Sequence, residues 1–249
     1  MANRRYRSLL ACALGVVAAA CAEPVTPASS ADAAPAPPDA ATEPARCVPP
    51  AGVSGSPQTI DEVVALINAL PSPVTLPCFL ESLDRPLEIE ATLSRVSAQP
   101  AYGARSPRLF LFIGDDLILS VVPEGAGAPL LELAEIVEEA RSRKAELELP
   151  IETPVAASAP YDRVVFESGT VCGGCHFGEQ RDESVDFARV YVSNALRPYD
   201  LDLVALDRVR AEWLACRPEE EPDRCAMYQA IFGHGEVRHR RFPDSFPTL

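Results

Sequence analysis

Eight cysteines in 249 residues constrain this chain more than any other feature, because whether they pair depends on the compartment in which the chain folds. The first residues speak to the compartment. Arg4, Arg5 and Arg7 make a positive start, Leu9 to Ala20 is an uncharged apolar run, and Ala18-Ala19-Ala20 offers small residues at a cleavage point. The run falls short of the roughly 20 apolar residues that span a bilayer. Residues 1–20 therefore read as an export signal, and the rest as a chain that folds in an oxidising compartment. Cys12 leaves with the signal. Beyond Cys21, the set Cys47, Cys78, Cys172, Cys175, Cys216 and Cys225 is even in number, which suggests pairing. Sequence order suggests Cys47–Cys78 and Cys216–Cys225, the second pair flanking a polar, turn-like segment with Pro218 and Pro222.

Small residues directly before Cys21 resemble the bacterial lipoprotein signal, in which that cysteine is lipidated and becomes the new N-terminus. Ala18 stands where that signal usually has Leu. The resemblance implies a membrane anchor through an N-terminal lipid at Cys21. Ala22 follows the cysteine where a retention aspartate would stand, which by the same resemblance favours the outer membrane, facing the periplasm or the cell surface. Ordinary cleavage after Ala20, giving a secreted protein, fits the same residues. Residues 21–46 are nearly all Ala, Pro, Ser, Thr, Glu and Asp. Such a stretch buries too little apolar surface to offset its ordering entropy, so it reads as a tether.

The rest divides into an expected α+β region, 47–156, and an expected small, mainly helical, disulfide-braced region, 160–249. In the first, Thr59 and Glu62 read as a capping box before Ile60, Val63, Val64, Ile67 and Leu70 at helical spacing, with Pro71 as the stop. Leu87 to Ser94 and Ala145 to Leu149 alternate as half-buried strands. Leu109–Ile113 and Leu117–Val122 flank Gly114-Asp115-Asp116 as a hairpin, and Leu130 to Ala140 is ambiguous between helix and strand. The pattern predicts an N-terminal helix packed on an antiparallel sheet. In the second region Val164 to Phe166 reads as a short strand and Thr170 to Asp186 as a loop. Leu201–Cys216 and Asp223–Phe232 read as helices, followed by an irregular tail.

Formal net charge is −14, and the three arginines of residues 1–20 are the only charges there, so the exported part is more acidic still. A surface of that sign repels phosphate backbones and argues against nucleic acid as a partner.

One motif carries chemistry. Cys172-Gly173-Gly174-Cys175-His176 is C-x-x-C-H, which resembles the haem-attachment motif of c-type cytochromes. Two thiols at this spacing reach the two vinyl groups on one porphyrin edge, and the adjacent histidine sits under the iron. The resemblance implies haem c held by Cys172, Cys175 and His176, with envelope redox proteins as partners. Members of that family often take a methionine as sixth ligand. Met227, the only methionine after Met1, lies in an expected helix, whereas His234 follows a helix end and His239 is a third candidate. The aromatic-rich helix that usually precedes the motif is missing, which implies a divergent fold.

Other readings of these residues remain open. Cys172–Cys175 could be a small-loop disulfide, either cysteine could pair at a distance, or Cys172, Cys175, His176 and His234 could hold zinc or copper. Thioredoxin-like exchange lacks its βαβ setting. The main rival is therefore a non-enzymatic envelope lipoprotein, a structural or interaction module with three disulfides and no haem. No nucleophile–base set stands out, so an enzyme is not expected.

Overall fold

The computed structural model describes residues 46–97 and 99–248. The signal, Cys21 and the tether as far as residue 45 lie outside them. Thr59 Oγ1 accepts from the Glu62 N–H (3.2 Å) and opens helix α1 (Ile60–Ala69). Glu62 reaches back to the Gln58 N–H (2.6 Å), so the reciprocal half of the capping box falls one residue earlier than expected. Ile60, Val63, Val64, Leu66 and Ile67 are buried. A second, seven-residue helix, α2 (Leu76–Ser82), starts at Thr75, whose Oγ1 accepts from the Cys78 N–H. So short a helix leaves too little periodicity to read from sequence.

Strands β1 (Leu87–Thr92), β2 (Arg108–Ile113), β3 (Leu117–Val121), β4 (Leu130–Glu138) and β5 (Arg141–Glu148) form an antiparallel meander. The ambiguous Leu130–Ala140 stretch resolves as β4 and a tight turn in which Ala140 takes a positive φ of 55°. The register aligns the inward positions of neighbouring strands on one face: Ile89, Leu111, Leu119, Leu133 and Ala145 are successive cross-strand partners, all buried in the main core. The opposite face carries Arg108, Phe110, Phe112, Ile118, Ser120, Glu132, Ala134, Lys144 and Glu146.

The remaining elements are α3 (Ala159–Val164), β6 (Val165–Phe166), β7 (Gly169–Thr170), β8 (Gln180–Arg181), β9 (Tyr191–Asn194), β10 (Leu203–Val204), α4 (Leu206–Leu214), α5 (Pro222–Phe232) and β11 (Val237–His239). They correct three expectations. Val164 closes a short helix instead of opening a strand. The long helix expected over Leu201–Cys216 is shortened to α4, because Leu203 and Val204 pair with Thr92 and Ala91 at the edge of β1. The tail is not irregular throughout, since Val237–His239 pairs in parallel with Leu87–Ile89.

The sheet order is β10-β1-β2-β3-β4-β5-β9-β8, with β11 also on β1, so both ends of the meander are extended by strands from beyond residue 160. The boundary expected near 156–160 therefore does not separate two bodies, and the described residues form one compact unit. Residues 160–249 hold three helices but also six short strands, which departs from a mainly helical region. The architecture is mixed α and β around a large antiparallel sheet. Both disulfides suggested by sequence order are formed, Cys47–Cys78 and Cys216–Cys225. Among the described residues no helix is long and apolar enough to cross a membrane.

The outer face of the sheet is covered as well. Phe242 and Phe246 of the C-terminal tail, with Ala195, pack on Phe112 and Ile118 as a second apolar cluster. Phe242 meets Phe110 and Phe112 edge-on at centroid distances of 4.9 and 5.0 Å. This second layer leaves a gap over β2–β5, and the gap is where the motif lies.

Candidate functional site: a cleft at the C-x-x-C-H turn

The β6–β7 hairpin delivers the chain to a one-turn 3-10 helix, Val171–Gly174. Thr170 Oγ1 caps it by accepting from the Gly173 N–H (3.2 Å), and the Cys172 carbonyl accepts from the N–H groups of Cys175 (3.1 Å) and His176 (2.9 Å). Glu179 braces the turn, accepting from the Thr170 N–H (2.8 Å) and hydroxyl (2.5 Å). A Cβ at 169 would lie 2.2 Å from Glu179 Oε2, so a larger residue there would displace the bracing carboxylate. The turn is fastened to the sheet edge: the Asn194 N–H donates to the Phe177 carbonyl (3.0 Å), and Arg141 donates to the Gly178 carbonyl (2.7 Å).

Cys172, Cys175 and His176 line one side of a half-open cleft of about 210 Å³. Its floor is the outer face of β2–β5, with Phe110, Ile118, Ala134 and Ile136, and Phe242 and Phe246 close one end. Arg108, Glu132, Lys144, Glu146 and Arg197 supply its charge. Arg108 is committed: it donates to Ser120 Oγ (2.6 Å), to Ser97 and to Glu132, and lies over the Phe110 ring. Glu146 is met by Arg163 at 2.6 Å. Lys144 is only 9% exposed and donates to Ser142 Oγ at 2.6 Å.

The cysteines at 172 and 175 are unpaired, one half-buried and the other exposed. A third disulfide, as in the rival reading, is not formed. Burial, followed by the nearby Glu132 carboxylate, pushes the Cys172 thiol up to about 11. At neutral pH it is a protonated thiol, which disfavours thiolate exchange chemistry.

His176 Nδ1 lies 2.8 Å from the Asn194 carbonyl oxygen. A carbonyl can only accept, so Nδ1 carries the proton and Nε2 keeps its lone pair. Burial first, then the positive charge of Lys144, lowers this imidazole to about 3, so it is neutral at physiological pH. A neutral imidazole with Nδ1–H fixed by a carbonyl is the arrangement a metal ligand needs.

The other ligands suggested by sequence lie elsewhere. Met227 is 3% exposed within the main core. His234 Nε2 is buried 3.4 Å from Glu81 Oε1, and His239 Nε2 lies 2.9 Å from Glu90 Oε1. None of the three lines the cleft. Among the described residues no group of three or more His, Cys, Asp or Glu side chains converges on a point, so Cys172, Cys175, His176 and His234 do not form the tetrahedral set that zinc requires. Sequence reading missed Lys144, Arg108 and Asn194. Lys144 had one signal, being the chain's only lysine.

Comparison with protein-family models, with curated proteins and with solved structures finds no significant match to this chain.

Proposed function

We propose that the chain is an exported lipoprotein, anchored through Cys21, that binds one covalent c-type haem for electron transfer or sensing at the cell envelope, at the outer membrane. The observation that carries the reading is the cleft wall. Two thiols left out of the disulfide set and one imidazole with a free Nε2 lone pair face the same gap, whose floor mixes apolar side chains with Arg108, Glu132 and Lys144. Haem c makes this demand in particular: its sulfurs bond to carbons at the porphyrin rim while a single imidazole meets the iron, so three donors need not converge on a metal.

In this reading Cys172 and Cys175 would hold the group through thioether bonds, and His176 would offer its Nε2 to the iron. Bound there, the haem supplies a one-electron redox centre. The chain's own residues do the rest. Asn194 orients the imidazole and raises its basicity through the Nδ1–H bond. Phe110, Ile118, Ala134, Phe242 and Phe246 give the site apolar surface for the face of a porphyrin. The helix-on-sheet half serves as scaffold and cleft floor, and the disulfide-braced C-terminal part presents the haem-bearing turn. Envelope redox proteins are the partners this chemistry calls for.

The test is to produce the exported chain together with cytochrome c maturation machinery. The expected product is red, and its haem survives denaturing electrophoresis and stains by its peroxidase activity. Cys172→Ala with Cys175→Ala should abolish the stain. A colourless, iron-free product would instead support the module without haem.

A further inference from the structure

We infer that Lys144 would be the second protein ligand to the haem iron, its amine offered from the sheet side of the cleft and the His176 imidazole from the overlying turn. This rests on the haem reading above. Met227, His234 and His239 are excluded by position: one is locked in the main core and the other two face carboxylates away from the cleft. Besides His176, the cleft wall offers thiols, hydroxyls, carboxylates, guanidinium groups and one amine. Guanidinium does not surrender its proton in proteins, so among the described residues Lys144 is the only other side chain there that can offer a nitrogen lone pair.

Its placement suits the role. Lys144 projects from the outer face of β5, with Ala134 as its cross-strand neighbour on β4. Its side chain leans along β5 to Ser142, and Ser142 is the cross-strand partner of Ser193 on β9. Asn194, the next residue, is the one whose carbonyl holds His176. The amine and the imidazole thus reach the same β5–β9 seam, one from the floor and one from the overlying turn.

The amine is also under-partnered. An ammonium has three N–H donors, yet among the described residues Lys144 Nζ has one acceptor, Ser142 Oγ, and no carboxylate within ion-pair distance. Glu132, the nearest candidate, is taken by Arg108. Across the seam from Ser142, Ser193 Oγ is buried with no hydrogen-bond partner. An amine that gives its lone pair to iron keeps two N–H groups, which suits a site with one acceptor in place better than an ammonium with three.

The chain's single lysine makes a direct test possible without substitution. Matured haem-bearing protein is labelled with ε-¹⁵N lysine, which marks Lys144 alone, and the ferric form is examined for hyperfine coupling between that nitrogen and the haem iron. Coupling in a low-spin spectrum is expected. In Lys144→Arg, which keeps the charge but cannot ligate, the low-spin signal should give way to a high-spin one, and added imidazole should bind at least tenfold more tightly. A haem-loaded protein whose ¹⁵N shows no coupling, or a Lys144→Arg variant with the native low-spin spectrum, overturns the assignment while the haem reading stands. A product with no covalent haem overturns both.

Discussion

Replacing Lys144 by Met in the haem-free chain should stabilise the fold at neutral pH, by an amount that fades as the medium becomes alkaline. Methionine matches the lysine stem in length and leaves no charge to bury. Burial lowers the Lys144 amine from an ordinary 10.5 to about 8. The unfolded chain therefore holds this proton up to a higher pH than the folded chain. Stability is lost as pH falls from 10.5 to 8 and stays lower beneath that, where both states are protonated. Each pH unit of the interval is worth about 1.4 kcal/mol, so the lysine costs the fold roughly 3 kcal/mol at pH 7 and roughly 1 kcal/mol at pH 10. Loss of the hydrogen bond to Ser142 offsets about 1 kcal/mol of the gain at either pH. Urea denaturation of both proteins at pH 7 and pH 10, made without haem-attachment machinery, measures the gap. It should shrink by roughly 2.5 kcal/mol between the two conditions. A gap independent of pH would show that the amine is hydrated in the folded state and would refute the argument.

The two disulfides should differ in worth. Replacing Cys47 and Cys78 by Ala, which opens a sequence separation of 31, should cost about 3.7 kcal/mol, and Cys216 with Cys225, at a separation of 9, about 2.6 kcal/mol, both by denaturant titration. Leu119→Ala, at the buried centre of β3, should cost about 2–5 kcal/mol in the same assay. Arg224 is buried between Glu212 and Glu221 and donates to the Arg105 carbonyl, which Tyr228 also reaches at 2.6 Å. Arg224→Ala should cost roughly 2–4 kcal/mol and raise hydrogen exchange around residue 105, since its carboxylate partners are left without a buried cation. Cys21→Ala should abolish incorporation of labelled fatty acid into the exported chain; incorporation that persists would exclude Cys21 as the anchor.

The sequence was most legible where a local rule acts within a few residues. Thr59 caps α1, Gly114 (φ 61°) turns the β2–β3 hairpin, and Cys47, Cys78, Cys216 and Cys225 pair in sequence order. Short pieces escaped it. α2, β8, β9 and β11 are between two and seven residues long and exist because neighbours offer them partners, as Leu87–Ile89 does for Val237–His239. The alternation Leu87 to Ser94 correctly implied a strand, yet Glu90 on its polar side is 2% exposed, because the tail brings His239 to meet it. The site was half legible. Cys172, Cys175 and His176 announce themselves by spacing. The cleft does not, because Phe110, Ala134, Lys144 and Phe246 come together only through strand register and the return of the tail. The same cause separates the ligand candidates from the motif: Met227 lies in an expected helix and His234 just past a helix end, and the fold packs the first in the main core and sets the second against Glu81.

The intact mass of the exported, matured chain bears most directly on the central claim. One haem added per polypeptide, retained under denaturing conditions and localised by digestion to the peptide bearing Cys172 and Cys175, is the result this account requires. A polypeptide of unmodified mass, or one in which that peptide holds only a sulfur–sulfur link, would contradict it.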